Sequence, residues 1–427
     1  MDKQIHSIRV LHTSDWHLGR TLHEHARDDE YDAFLAWLLK TIGEQKIDVL
    51  LIAGDIFDTS NPPYAAQQRY YDFCTKLSRT CCKHAVITSG NHDSTAFIDV
   101  PGQVLKCLNI HVVGQARFGI GKKGIPGDEV VVIRDDVGED LLIVAAVPYL
   151  QDGDVRTSQV DDDIRTSEQK MVAGVTEHYR RVAEACEEIR AGREIPVVAM
   201  GHLYAAGGKL GEGERVTYVG SLGGVGASVF GDTFDYVALG HLHVPQTVGG
   251  NEYIRYSGSP LAMGFGEAGQ QKSACMVDFE GKNPKISFLD IPVFRNMVNV
   301  RGDKKEIESQ LIPLVKSPDD IYIAVTYTGE EKIDNVMWLV NELLEKLYTL
   351  YRTDGHHNIY CLNTQIVRPD SKNERVNPTE ISNESLEDFN ETEVFERLLD
   401  ANKIDESERS ALLECYRELL VKVNQHS

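Results

Sequence analysis

The amino-acid sequence predicts an α/β protein built on a mixed β-sheet, or on a pair of packed mixed sheets, with helices outside. The first observation is the run 49–53, whose aliphatic residues end at Gly54 and Asp55, a pattern typical of a strand buried on both faces. The second is the strand, helix, strand order that leads up to this run. The third is the middle of the chain, where strands predominate, unlike a simple Rossmann order.

The elements follow from the spacing of apolar residues. Residues 8–12 form a short aliphatic strand, and residues 28–45 form a helix because apolar side chains recur every three or four positions. After Asp55, a helix is predicted to carry Pro62 in its first turn and to run to about Ser78. Further strands are predicted at 85–88, 130–133, 141–147, 195–200, 236–239, 253–256 and 274–279, with another helix at 169–188.

Beyond Pro292 the pattern changes to strand, helix, strand, helix, strand at 297–300, 304–315, 322–327, 333–350 and 359–367. The predicted organisation is therefore a main domain over 1–290, a small β-α-β-α-β domain over 291–368, a linker over 369–380 and a helical segment over 381–427. Apolar stripes in this last segment predict that it docks on a partner or folds back on its own chain.

Composition narrows the class of protein. The 427 residues are 42% hydrophobic and 26% charged, without an apolar run long enough for a membrane span or a signal-peptide pattern at the start. Eight scattered cysteines without a C-x-x-C motif predict a reducing, cytoplasmic compartment and no cysteine zinc site. The net charge of −22 opposes nucleic-acid binding unless bound cations or a basic surface intervene.

Metal-type ligands follow five of the predicted strands. Because strand exits are where α/β proteins place their chemistry, these residues are expected to converge. Carboxylates, imidazoles and one amide oxygen, without thiolate, suit Mn²⁺ or another divalent first-row ion better than a structural zinc. Seven ligands are too many for one tetrahedral ion but fit two ions that share a carboxylate, for which Asp55 is the candidate. The seven are Asp15, His17, Asp55, Asn91, His202, His241 and His243.

His92 follows the candidate ligand Asn91 but is not needed as a ligand. It is therefore free to stabilise a pentacovalent phosphorus or to protonate a leaving oxygen. Asp58 is expected to hydrogen-bond the imidazole of His92 and keep it protonated. The structural alternative is that Asn91 to Asp93 form a plain turn and that Asp58 begins a helix cap.

The motifs Asp-x-His, Gly-Asp-x-x-Asp, Gly-Asn-His-Asp, Gly-His and Gly-His-x-His, in this order over about the first 265 residues, resemble the calcineurin-like metallophosphoesterases. The resemblance implies two packed mixed sheets flanked by helices and a dinuclear centre. Carried over by position, one ion would be bound by Asp15, His17, Asp55 and His243, and the other by Asp55, Asn91, His202 and His241. The same resemblance makes His92 the catalytic histidine and Asp58 its orienting partner.

The residues around these motifs, such as 11–19, 53–58, 90–94 and 256–260, resemble the SbcD family of bacterial nuclease subunits. This implies a manganese-dependent 3′-to-5′ exonuclease on duplex ends and an endonuclease on hairpins, acting in DNA recombination, repair and replication. It also implies an SbcC-type coiled-coil ATPase partner in a complex with two copies of each chain, and a homodimer through the helices after Pro63 and Asp93. The small domain and the helical segment fit that family's capping domain and partner-binding segment by layout.

Two other functions use the same residues differently. A phosphatase or small-molecule phosphodiesterase would have the same dinuclear centre, but would not need the small domain and the helical segment. A scaffold with structural metals would have no reason to keep His92 and Asp58. Residues that line a DNA groove are not evident, because Arg20, Lys122 and Lys123 also fit solvated loop charges.

Overall fold

The structure is a computed structural model that describes residues 7–155, 164–205, 226–352 and 354–367. The described elements lie in Met1–Ile366, the first of two compact units into which the chain divides. The predicted linker over 369–380 and the helical segment over 381–427 lie outside the described residues. Among the described helices, none has the length and apolar character needed to cross a bilayer.

The described strands are β1 Ser7–Thr13, β2 Val49–Ala53, β3 His84–Thr88, β4 Ile110–Val113, β5 Val130–Arg134, β6 Asp140–Ala146, β7 Val197–His202, β8 Tyr236–Gly240, β9 Gln246–Val248, β10 Asn251–Tyr256, β11 Ser273–Glu280, β12 Asn283–Asp290, β13 Asn296–Gly302, β14 Ile321–Tyr327 and β15 Ile359–Ile366. The described α-helices are α1 Asp28–Gln45, α2 Tyr64–Leu77, α3 Thr95–Leu105, α4 Asp152–Val155, α5 Ile164–Arg190, α6 Lys304–Val315 and α7 Val336–Tyr351.

Two six-stranded mixed sheets form the main part of the molecule. The first has the order β12-β11-β1-β2-β3-β4, and the second has the order β5-β6-β7-β8-β10-β9. In the first sheet β1 to β4 are parallel, while β11 runs antiparallel to both β1 and β12. In the second sheet β6, β7, β8 and β10 are parallel, with β5 and β9 antiparallel at the edges. The predicted fold class, two packed mixed sheets flanked by helices, is therefore confirmed.

Strand β2 shows why the sheets pack as layers. Val49, Leu51 and Ala53 face the second sheet, whereas Leu50 and Ile52 face the layer of helices α1 and α2. Alternate residues of a strand point to opposite faces, so a strand covered on both sides must be apolar throughout. Helix α5 covers the outer face of the second sheet, and the result is a helix, sheet, sheet, helix arrangement.

The third sheet, β13-β14-β15, is parallel throughout and packs one face against α6 and α7. The opposite face carries Tyr322, which packs with Leu22 and Phe265 of the main part. The small domain therefore lies directly against two loops of the main part. Helix α6 starts with a capping box, in which the Asp303 carboxylate accepts from the main-chain N–H of Glu306 and the Glu306 carboxylate accepts from that of Asp303.

The structure corrects the start of one predicted helix. Helix α2 begins at Tyr64, and Pro62 is not in its first turn. Pro63 is extended, with ψ 152°. Pro62 is the residue before a proline, and such residues avoid the helical region. Both prolines therefore precede the helix. Helix α3 and strands β4, β9 and β12 were not predicted from hydrophobic spacing.

Candidate metal centre

The carboxyl ends of five strands meet at one edge of the two large sheets. Asp15 and His17 follow β1, Asp55 follows β2, and Asn91 and His92 follow β3 in the first sheet. His202 ends β7, and His241 and His243 follow β8 in the second sheet. The structure thus places all seven predicted ligands and His92 at one edge, where the two sheets face each other.

A first cluster consists of Asp15, His17 and His243, whose potential ligand atoms all lie within 4.8 Å of one another. The Nε2 atoms of His17 and His243 are 3.2 Å apart. All three residues are buried.

A second cluster gathers around Asn91. Its Oδ1 lies 3.1 Å from Nε2 of His202 and 3.0 Å from Nδ1 of His241. His202 also groups with Asp15 and Asp55 within 4.8 Å.

Asp55 lies between the two clusters. Its Oδ2 is 3.6 Å from Nε2 of His17, in the first cluster, and 3.3 Å from Nε2 of His202, in the second. Its Oδ1 accepts a hydrogen bond of 2.9 Å from the main-chain N–H of His92. The carboxylate therefore has the position expected of a group shared by two ions.

The backbone at these exits is in an uncommon conformation. Asp15, His17, Asp55 and His241 all have positive φ, at 53°, 48°, 50° and 105°. Each such residue costs on the order of 1–3 kcal/mol, and such strain concentrates at functional sites. Main-chain hydrogen bonds of 3.0 Å from Asp15 to the Gly54 carbonyl and from His17 to the Asp55 carbonyl hold two exits together.

The carboxylates and imidazoles of the site shift one another's pKa values. Burial alone would raise the pKa of Asp55, but His202 and His17 outweigh it and hold that pKa well below its ordinary value. Burial raises the pKa of Asp15 to about 6, and neighbouring Asp55 adds to this. Burial, with His202 close by, lowers the pKa of His241 to about 3, so its imidazole is neutral and can act as a ligand. This oxygen and nitrogen donor set is compatible with a divalent metal centre.

Two of the histidines are oriented by contacts on their second ring nitrogen. His202 donates from Nδ1 to the Ala53 carbonyl at 3.0 Å, which directs Nε2 toward Asp55. His17 has Nδ1 3.4 Å from Oδ1 of Asp58 and directs Nε2 toward the first cluster. Such partners fix the tautomer and the angle of metal-binding imidazoles.

The structure alters the expected contact of Asp58. His92 donates from Nδ1 to the main-chain carbonyl of Asp58 at 2.8 Å, not to its carboxylate. That carboxylate instead lies against His17 and against Arg20, whose guanidinium is 3.4 Å away. The physical reason is the backbone turn after Asp55, which presents the carbonyl of residue 58 to His92 and its side chain to His17.

One residue of the site was missed as a functional group. Asp93 is buried and accepts hydrogen bonds from the main-chain N–H groups of Ile56, Phe57 and Gly90 at 3.1, 2.9 and 2.9 Å. Burial, with Asp55 nearby, raises its pKa to about 6. Asp93 thereby ties the exit of β2 to the exit of β3. Its place in the Gly-Asn-His-Asp motif was the available signal.

Of the three basic candidates for a DNA groove, Lys122 pairs with Asp154 at 2.7 Å and Arg20 contacts Asp58 at 3.4 Å. Lys123 is exposed.

Comparison with known proteins agrees with this geometry. Residues 8–245 match the calcineurin-like phosphoesterase family, and residues 293–403 match a family described as the type 5 capsule protein repressor C-terminal domain. The chain is 32% identical over 410 residues to the SbcD subunit of the SbcCD nuclease from Escherichia coli strain K12, covering 95% of this chain and 96% of that protein.

Two further relatives are also SbcD subunits of SbcCD nucleases. The proteins from Rhodobacter capsulatus and Bacillus subtilis are each 35% identical, over 280 and 275 residues. Each alignment covers 64% of this chain, with 67% and 66% of the respective relative. Similarity over nearly the whole length, together with the phosphoesterase match, places the chain in the SbcD family of calcineurin-like phosphoesterases.

Proposed function

We propose that this chain is the nuclease subunit of a DNA end-processing complex and hydrolyses phosphodiester bonds with a two-ion centre. The observation that carries the proposal is the position of Asp55, whose Oδ2 lies within 3.6 Å of a histidine from each of two clusters. A carboxylate shared in this way is typical of sites that hold two ions about 3.5–4 Å apart for attack on phosphorus. The names of the relatives, which are nuclease subunits, support a nucleic-acid substrate.

The proposed ligands divide between two sites. Both sites include Asp55, and the donor chemistry favours Mn²⁺ over a structural zinc. When bound, two such ions lower the pKa of water and stabilise the charge that develops on phosphorus. The first set is Asp15, His17, Asp55 and His243, and the second set is Asp55, Asn91, His202 and His241.

His92 is the proposed catalytic histidine. One of its ring nitrogens lies within 4.8 Å of ligand atoms of His17 and Asp55. Because Nδ1 donates to the Asp58 carbonyl, the ring is held in one orientation, and Nε2 can stabilise or protonate an oxygen of the scissile phosphate. In this proposal Asp58 orients His92 through its main chain and His17 through its side chain.

The proposed partners follow the family. An SbcC-type ATPase would supply much of the DNA-binding surface, which answers the repulsion expected from a net charge of −22. The complex would hold two copies of each chain, with this chain forming a homodimer through α2 and α3. The exposed apolar side chains of Tyr64, Val100 and Val104 on these helices support that surface.

The proposed domains are the nuclease domain over 1–290, a capping domain over 291–368, the linker over 369–380 and an ATPase-binding segment over 381–427. Separate apolar cores support the first division, because one core lies around β13 to β15, α6 and α7. The duplex and hairpin activities, including 3′-to-5′ polarity, belong to the same proposal.

The test combines the purified chain with an SbcC-type ATPase, ATP and Mn²⁺ on end-labelled duplex and hairpin DNA. Cleavage of both is expected. Replacing His92 by Ala should lower cleavage by a factor on the order of 10²–10⁴, as for loss of a general acid, while both ions stay bound.

Metal content by plasma emission spectroscopy is the control for the His92→Ala variant. Loss of both ions would mean that His92 has a different role. Intact DNA beside rapid turnover of a nucleotide or a phosphoprotein would favour a phosphatase or small-molecule phosphodiesterase instead.

A further inference from the structure

A buried ion pair lies behind His243. The side chains of Lys272 and Glu267 are 6% and 0% exposed, and Nζ is 2.6 Å from Oε2. A buried ammonium group is costly unless its remaining N–H groups are hydrogen-bonded. The ammonium group meets this condition with two further acceptors, the His243 carbonyl at 3.1 Å and the Ser259 hydroxyl at 3.2 Å. Three donors thus meet three acceptors, and one of these is the main chain of a proposed ligand.

The second oxygen of Glu267 faces the ring of that ligand. Oε1 has no hydrogen-bond partner among the described residues and lies 3.9 Å from Nδ1 of His243. The other ring nitrogen, Nε2, is 3.2 Å from Nε2 of His17 in the first cluster. The imidazole of His243 therefore lies between a buried carboxylate and the proposed metal position. Metal-binding histidines commonly have a carboxylate at this place, which orients the ring.

The segment that carries Glu267 is held by the third sheet. The short 3₁₀ turn Phe265–Glu267 contains Phe265, which packs with Tyr322 of β14. The side-chain amide of Asn299 in β13 donates to the Phe265 carbonyl at 2.8 Å. Only Gly266 therefore lies between the residue that contacts the small domain and the residue whose carboxylate is beside His243.

The second cluster has different supports. His202 donates to the Ala53 carbonyl, and His241 donates its main-chain N–H to Asp15, both within the two large sheets. A change in the packing of the third sheet would thus reach the first cluster through Glu267 before it reached the second.

We propose that Glu267, held by Lys272 and by the third sheet, is a positioning residue for His243. Through it the small domain sets the metal affinity of the site built from Asp15, His17, Asp55 and His243, but not of the other site. The inference rests on the proposed two-ion function.

The test measures Mn²⁺ binding to the metal-free full-length chain by titration calorimetry and by electron paramagnetic resonance. The wild type should bind two ions with a spin-coupled signal. The Glu267→Gln variant keeps the side-chain volume and an acceptor for Lys272 but removes the charge. It should bind one ion roughly 10–100-fold more weakly and the other unchanged. The coupled signal should then return at high Mn²⁺.

Glu129→Gln is the matched control. It removes the charge from the buried pair between Glu129 and His178, which is 2.8 Å long with side chains 0% and 3% exposed, and which touches no proposed ligand. It should lower stability without changing either metal affinity. A second variant, Asn299→Ala, removes the hydrogen bond from β13 to Phe265 and should weaken the same site by a smaller factor. It remains informative if Glu267→Gln fails to fold.

Wild-type affinity at both sites in Glu267→Gln, or in Asn299→Ala when Glu267→Gln cannot be purified, would overturn this inference and leave the proposed function intact. Equal weakening of both sites in Glu267→Gln would also overturn it, because Glu267 would then be only structural. A wild type that binds fewer than two ions would instead overturn the proposed function.

Discussion

Gly90 and Gly240 determine how closely the strand exits approach one another. A Cβ atom on Gly90 would lie 2.0 Å from Oδ1 of Asp55, and one on Gly240 would lie 1.8 Å from the Ala53 carbonyl oxygen. Contacts this short are not compatible with any side chain. The absence of a side chain at these two positions therefore allows Asp55 to reach both clusters.

Replacing Gly90 by Ala should displace Asp55. We expect a loss of stability of about 1–3 kcal/mol from overpacking and a loss of cleavage of roughly 10²-fold from a displacement of about 1 Å. Denaturant unfolding and the DNA cleavage assay measure the two effects.

Gly43, in α1, is the control because an added Cβ there meets nothing within 4 Å. Gly43→Ala should raise stability by about 0.5–1 kcal/mol and leave cleavage unchanged. A Gly90→Ala variant with wild-type cleavage would contradict the assigned position of Asp55.

At the level of whole elements, His12 of β1 is buried between the two large sheets against Tyr236 of β8. Burial lowers the pKa of His12 to about 3, and its Nδ1 is 3.0 Å from the hydroxyl of Tyr236. In the unfolded chain the imidazole of His12 binds a proton near pH 6.5. The neutral, buried His12 therefore makes its full contribution to the free energy of unfolding above that pH. It is lost as the pH falls from 6.5 toward 3, because protonation then favours the unfolded state.

The His12→Gln variant should remove this pH dependence while keeping a polar partner for Tyr236. Between pH 6 and pH 4, the metal-free wild type should lose about 2 kcal/mol more unfolding free energy than the variant. Urea unfolding in EDTA at both pH values measures the difference. Equal losses would show that His12 becomes protonated in the folded protein.

The sequence was sufficient for long elements with a clear period and insufficient for short ones. Helix α1 was predicted with its observed bounds, because its apolar residues recur over eighteen positions. Strand β9 has only three residues, and β12 at the sheet edge contains Pro284 and exposes Phe288, so neither shows a clean alternation of apolar and polar residues.

The predictions for the site depended on strand exits, which sequence motifs mark well. Whether Asp58 meets His92 through its carboxylate or its carbonyl depends on backbone angles, which no motif specifies. Glu267 and Lys272 were missed because a buried charged pair far along the chain from His17 has no local signal.

At the scale of the whole molecule, the exposed apolar side chains on α2 and α3 predict self-association. Val104 is 72% exposed. A charge at this position would disrupt a dimer interface in which the side chain is buried. Val104→Glu should convert a dimer into a monomer in light scattering while metal content is retained. Val137→Glu, at a position that is 83% exposed in the loop between β5 and β6, should remain dimeric. A monomeric wild type would contradict the proposed interface.

The most direct test of the central claim is anomalous diffraction from a crystal of the chain grown with Mn²⁺. The account predicts two manganese peaks about 3.5–4 Å apart, with the carboxylate of Asp55 in contact with both. A single peak, or two peaks without Asp55 between them, would contradict it.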